Sequence, residues 1–172
     1  MARNIEIKAR IDSVEALLPL AQALADDPVQ LIEQDDTFFA CANGRLKLRD
    51  FGSGHGELIH YWRDDAEGPT LSDYVRVQTD DPAALREALT RAQAVIGRVR
   101  KTRWLLLAGQ TRIHLDRVEG LGDFLELEVV LREGQAEPEG VAIAEALMFK
   151  LGVGPERRLA GAYLDLFGAQ AA

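Results

Sequence analysis

The chain has 172 residues, 47% hydrophobic and 28% charged, and a formal net charge of -8. A chain of this length buries roughly 70% of the surface its unfolded form exposes, so it needs no staples. The single cysteine, Cys41, excludes an internal disulfide, and one thiol with three scattered histidines excludes a Cys/His zinc framework.

From the N-terminus, Arg3 to Ile11 alternates strictly, with Asn4, Glu6, Lys8 and Arg10 on one face and Ile5, Ile7, Ala9 and Ile11 on the other, the period of a strand. Ser13 caps a helix that carries Val14, Leu17, Leu18, Ala21 and Leu24 and stops at Asp26-Asp27-Pro28. Short strands are predicted at Val29 to Gln34, Asp36 to Ala40, Arg45 to Asp50, Glu57 to Arg63 and Ser72 to Thr79. A helix follows from Pro82 to about Ala94, then strands at Arg98 to Leu107, Thr111 to Val118 and Phe124 to Leu131. Two helices close the chain, about Val141 to Leu151 and Glu156 to Phe167, the second with Pro155 in its first turn. The pattern is α+β, about eight mostly antiparallel strands with helices inserted and appended. No apolar run approaches the ~18 residues of a membrane span, and no signal-peptide core precedes the first strand. The expectation is one domain over residues 1–172, cytoplasmic, monomeric or homodimeric. The acidic balance argues against broad binding to nucleic acid or anionic membranes.

The informative feature is the polar face of the strands, which is charged. Arg45, Lys47 and Arg49 stand at i, i+2 and i+4 and project from one side, with Leu46 and Leu48 opposite. The same spacing groups Glu57, Ile59, Tyr61 and Arg63; Lys101 and Arg103; Arg112, His114 and Asp116; and Glu126 and Glu128. With Glu6, Lys8, Arg10 and Arg76, ten basic and five acidic residues fall on these faces, a basic surface within an acidic remainder. A sheet with one solvated face is the alternative. Against it, the charges cluster by sign, which is repulsive unless an anion lies among the bases and a hard cation between the acids. A polyanion bound with Mg²⁺ or Mn²⁺ meets both conditions, which describes a triphosphate site.

The motifs are Asn4-Ile-Glu6-Ile-Lys8, Gly44-Arg45-Leu-Lys47-Leu-Arg49, Tyr61-Trp-Arg63, Gly68-Pro69-Thr-Leu-Ser72-Asp73-Tyr74, Lys101-Thr-Arg103, Arg112-Ile-His-Leu-Asp116 and Gly120-Leu-Gly-Asp-Phe124-Leu-Glu126-Leu-Glu128. In this order they resemble the CYTH superfamily, the triphosphate tunnel metalloenzymes, which include class IV adenylate cyclases, thiamine triphosphatases and inorganic triphosphatases. The resemblance implies a closed eight-stranded antiparallel β-barrel around a charged tunnel, with helices packed outside. It implies phosphate-binding roles for Lys8, Arg45, Lys47, Arg49, Arg63, Lys101, Arg103 and Arg112, and metal ligands at Glu6, Asp116, Glu126 and Glu128, with Mg²⁺ or Mn²⁺ as cofactor. Glu6, Lys8, Arg63, Lys101 and Glu128 take its catalytic positions. The implied substrate is ATP, tripolyphosphate or thiamine triphosphate, and the implied reaction is cyclase-like, ATP to cyclic AMP and pyrophosphate. Triphosphate hydrolysis and a non-catalytic polyphosphate-binding module are the alternatives. The family's opening motif is Glu-x-Glu-x-Lys; here Asn4 stands first, and its amide oxygen can still ligate Mg²⁺ but brings no charge, so the metal binds more weakly or relies on Glu126 and Glu128.

Other residues read as structural. Gly52-Ser-Gly-His55-Gly56 lacks the lysine and helix of a phosphate-cradling loop and reads as a hairpin loop. Cys41 reads as a small, partly buried apolar residue, Trp62 as packed under a helix, and Tyr163 as a core-edge tyrosine of the terminal helix, or part of the lid that the resemblance implies. His114, on the charged face, either tunes the site or hydrogen-bonds a carboxylate.

Overall fold

The computed structural model describes residues 2–170. In chain order the strands are β1 (Ala2–Arg10), β2 (Gln30–Phe39), β3 (Arg45–Asp50), β4 (Gly56–Arg63), β5 (Thr70–Thr79), β6 (Val95–Ala108), β7 (Thr111–Val118), β8 (Gly122–Val130) and the two-residue β9 (Arg158–Leu159). The helices are α1 (Val14–Leu24), α2 (Pro82–Ala92), α3 (Glu137–Lys150) and α4 (Tyr163–Gln170). Every strand pairing is antiparallel, in the order β5-β4-β3-β2-β6-β7-β8-β1, and a β5–β1 pairing closes the barrel. Strand β9 continues the same edge of β1, opposite Lys8 and Ala9, where β5 has already turned away.

Alternation along the strands divides the molecule into two environments. Ile5, Ile7 and Ala9 of β1, Ile113 and Leu115 of β7, and Leu125, Leu127 and Val129 of β8 face outward and are buried beneath α1 and α3. The main apolar core therefore lies between barrel wall and helices, and the inner faces are left to polar side chains. A second cluster, Phe38, Val99, Val118, Phe124 and Tyr163 with Leu121, is apolar and fills one end of the barrel. Ser13 caps α1 by accepting from Ala16 N–H at 3.1 Å, and Asp81 caps α2 by accepting from Ala84 N–H at 2.9 Å.

Several sequence expectations change. The two short strands at 29–34 and 36–40 are one strand, β2, paired with β6 along its length. Helix α3 begins a turn before its aliphatic stripe, with Pro138 in its first turn and the Glu139 side chain accepting from Ala136 N–H at 3.0 Å. The expected helix from Glu156 to Phe167 is three pieces: a 3-10 turn at Pro155–Arg157, β9, and α4. Between β9 and α4 the chain turns at Gly161, at φ 78°, where a Cβ would sit 2.8 Å from Asp165 Oδ2, so a helix cannot pass through. Trp62 lies on the outer face of β4 and is 55% exposed, so it is not packed under a helix as expected. Cys41 is exposed, its thiol directed at the carbonyls of Asn43 and Gly44. Among the described residues no helix is long and apolar enough to cross a membrane.

Candidate functional site

Inside the barrel is a cavity of about 250 Å³. Eight basic and five acidic side chains line it, a net of +3 in a chain whose net is -8. Eight of the ten bases expected on the inner faces are there. Arg10 is not: it lies exposed at the end of β1, over the ring of Phe124 at 4.7 Å and donating to Leu121 O. Nor is Arg45, whose guanidinium pairs with Asp65 and Asp165 outside the cavity.

On one side of the cavity, Asp36 of β2 accepts from Lys47 Nζ at 3.0 Å and from Arg49 Nε and Nη2 at 2.8 and 2.7 Å. Burial alone would raise its pKa, but the Arg49 and Lys47 charges outweigh burial and hold the carboxyl well below the usual carboxylate range. Asp36 was absent from the sequence-derived set. Its signal was present in the alternation Gln34, Asp36, Phe38, which becomes visible once β2 is read as a single strand.

Asp116 anchors a second group. It accepts from Arg103 Nε and Nη2 at 2.7 and 2.6 Å, from Lys101 Nζ at 3.1 Å and from the Tyr163 hydroxyl at 2.8 Å. It is fully buried and does not line the cavity; its carboxyl, too, is held low by Arg103 and Lys101 despite burial. Lys101 responds in the opposite sense: burial, reinforced by the Arg103 charge and opposed by Asp116, pushes its ammonium down to about 7. Tyr163 enters the barrel end from α4. Its ring lies 4.1 Å from Lys8 Nζ and 4.7 Å from Lys101 Nζ, edge-on to Phe124 at 4.9 Å. The carbonyl of Gly161 accepts from Lys8 Nζ and Arg63 Nη2 at 3.1 and 2.8 Å, so the Gly161–Tyr163 segment fixes the cations of two strands.

The acids gather across β1 and β8. Glu6 is the register partner of Glu128, and Lys8 of Glu126. Glu6 also accepts from Arg63, Glu128 from Arg112 at 3.1 Å, and Glu126 from Arg103 at 3.0 Å. Burial raises the pKa of Glu6; Arg63 opposes this, and the neighbouring Glu128 and Glu126 reinforce it. The rise is chiefly one of burial, to which the neighbouring carboxylates add, and a cation among them would favour the charged form. Asn4 Oδ1 and His114 Nδ1, both buried and both on the cavity wall, make no hydrogen bond. Carboxylates, an amide oxygen and unpartnered buried donors of electron pairs fit a divalent cation.

The family model described as the CYTH domain matches residues 2–163. No curated protein matches. Among solved structures, the PH1012 protein from Pyrococcus horikoshii is 26% identical with a TM-score of 0.84, covering 95% of this chain and 98% of its own. A Vibrio parahaemolyticus protein provisionally called an adenylate cyclase has a TM-score of 0.76 at 16% identity, covering 96% and 97%. A Hippeastrum protein, provisionally called an adenylyl cyclase and described as revealing a dominant triphosphatase activity, has a TM-score of 0.68 at 17% identity, covering 99% and 96%. The last two likenesses speak to fold alone.

Proposed function

This chain belongs to the CYTH domain family, and from that premise we propose that it is a divalent-metal-dependent enzyme acting on the triphosphate group of a small molecule, with hydrolysis of the terminal phosphate as its main reaction. One observation carries the reading: clusters of bases and acids share the cavity of one closed barrel, at a net of +3. The ion pairs leave an excess of three bases uncompensated, which favours an entering polyanion.

Lys47, Arg49, Lys101 and Arg103 hold the phosphate chain. The two arginines present planar forks, each kept in position by Asp36 or Asp116. Lys8, Arg63 and Arg112 reach the phosphates from β1, β4 and β7. Glu6, Glu126 and Glu128 would hold Mg²⁺ or Mn²⁺, which when bound supplies charge neutralisation at phosphate oxygens and activation of the attacking water. Asp116 takes the role of a positioning carboxylate instead of a ligand, because three donors already engage it. Rigid strands keep these groups in place as charge shifts in the transition state, so catalysis is chiefly positioning and electrostatic stabilisation. In the reaction, water attacks the terminal phosphorus and the remaining diphosphate leaves.

The cavity, about 250 Å³, has room for a phosphate chain, which is all that hydrolysis needs, whereas cyclisation also needs a seat for the nucleoside. Cyclisation of ATP is the second reading, favoured by the Gly-Leu-Gly-Asp-Phe turn and Arg-Ile-His-Leu-Asp strand. Purified protein incubated with tripolyphosphate, thiamine triphosphate and ATP, each with Mg²⁺ or Mn²⁺, separates the cases. Orthophosphate is the expected product; cyclic AMP with pyrophosphate would select the cyclase. Tight tripolyphosphate binding that survives chelation, without turnover, would sink both and leave a binding module.

A further inference from the structure

Three electron-pair donors converge on one corner of the cavity, and one of them is a nitrogen. Glu126 and Glu128 project inward from β8, and His114 projects from β7, directly opposite Glu126 in the register. One ligand atom from each lies within 4.8 Å of the other two. Nδ1 of His114 is 3.5 Å from Glu126 Oε2 and 4.0 Å from Glu128 Oε1. The imidazole is 3% exposed, yet Nδ1 makes no hydrogen bond. At 3.5 Å from Glu126 Oε2, Nδ1 stands at the edge of hydrogen-bond reach, which is not the short, aligned bond of a histidine that orients its carboxylate. In an octahedral site with bonds of about 2.1 Å, neighbouring ligand atoms lie about 3 Å apart, so a small side-chain rotation brings the three donors to one ion.

We propose that His114 coordinates the divalent cation through Nδ1, together with Glu126 and Glu128, and that this set of one nitrogen and two carboxylates selects a first-row transition-metal ion over Mg²⁺. The chemistry behind the selection is general. Mg²⁺ is hard, keeps oxygen ligands and dehydrates reluctantly, whereas imidazole suits transition metals, whose affinity for nitrogen rises along the row. Asn4 sharpens the need: the first position of the opening motif supplies no charge, so a strong neutral donor elsewhere restores affinity without adding repulsion among Glu6, Glu126 and Glu128.

The inference rests on the reading of the cavity as a metal-using site, but its test needs no turnover. Full-length protein stripped of metal is loaded with Mn²⁺ alone, without any triphosphate, and examined by electron spin-echo spectroscopy, with competition by Mg²⁺. The expected result is imidazole nitrogen coupling on the bound Mn²⁺, with Mn²⁺ preferred over Mg²⁺. His114→Gln should abolish the coupling and lower Mn²⁺ affinity about 10- to 100-fold or more, the scale lost when even an outer-shell partner is removed, with a smaller effect on Mg²⁺. Absence of Mn²⁺ binding, or bound Mn²⁺ without nitrogen coupling in the unmodified protein, overturns the proposal without relying on a variant that folds. An unchanged Mn²⁺ to Mg²⁺ ratio in folded His114→Gln overturns it as well. Nitrogen-coordinated Mn²⁺ in a protein that processes no triphosphate would sink the proposed function and leave this inference standing.

Discussion

Asp36 on β2 and Asp116 on β7 do the same work on either side of β6: each takes the fork of one arginine and the ammonium of one lysine, and each keeps its charge where burial would remove it. Removing one leaves two buried cations facing each other. Asp116→Ala should therefore destabilise the fold by about 3–5 kcal/mol in chemical denaturation. Arg45→Ala breaks half-exposed pairs and should cost only about 0–1 kcal/mol. Lys101 gives a pH signature. Burial pushes its ammonium down to about 7, and a bound polyphosphate favours the charged form. Binding should then take up protons above pH 7, and affinity should fall as pH rises through that range. Calorimetry in two buffers of different ionisation enthalpy reads the uptake, and no uptake at pH 8 would refute it. Glu128→Ala removes a carboxylate and no core volume; it should abolish metal-dependent turnover while leaving the circular dichroism spectrum unchanged.

At the level of elements, two contacts decide how the helices hold the barrel. Helix α3 approaches β1 and β8 at Gly140, where a Cβ would stand 2.6 Å from Leu131 Cδ2 and 2.7 Å from Ile5 Cγ1. Gly140→Val should overpack this seam and lower stability by about 1–3 kcal/mol, measured as a shift in the urea midpoint. Helix α4 is held at its first residue, where the Tyr163 hydroxyl reaches Asp116. Tyr163→Phe keeps the ring over Lys8 and Lys101 but leaves Asp116 one donor short. The expected loss is about 1–3 kcal/mol, and a variant as stable as the parent would show that the hydroxyl does not support the barrel end.

For the molecule as a whole, the arrangement separates charge by sign: a net of +3 around the cavity within a chain at -8. The acidic exterior repels polyanions generally, and the interior attracts those that enter. Tripolyphosphate affinity should weaken as salt rises from about 0.05 M to about 0.5 M, because screening shortens the reach of the inner charges. A salt-independent affinity would show that the cavity charges play no part. Closure of the barrel makes this separation possible. In an open sheet the same residues would face water and their pairs would contribute little.

Strand alternation is a local property, so it could be read directly: Arg45-Leu-Lys47-Leu-Arg49 and Glu126-Leu-Glu128 fix which side chains share a face wherever the strand lies. The polar inner face, the main elements of the barrel and most of the cavity's charged residues follow from that. Asp36 was missed because a break at Asp35 hid the continuity of β2, which pairing with the long β6 enforces. Tyr163 was placed on a helix that Gly161 interrupts. Arg45 and Asp116 were grouped with the site by spacing, although their partners, Asp165 and Tyr163, come from the far end of the chain. Which charge meets which, and which nitrogen is left without a partner, depends on register between strands distant in sequence. Only the closed barrel, through its long-range hydrogen bonding and packing, determines that register.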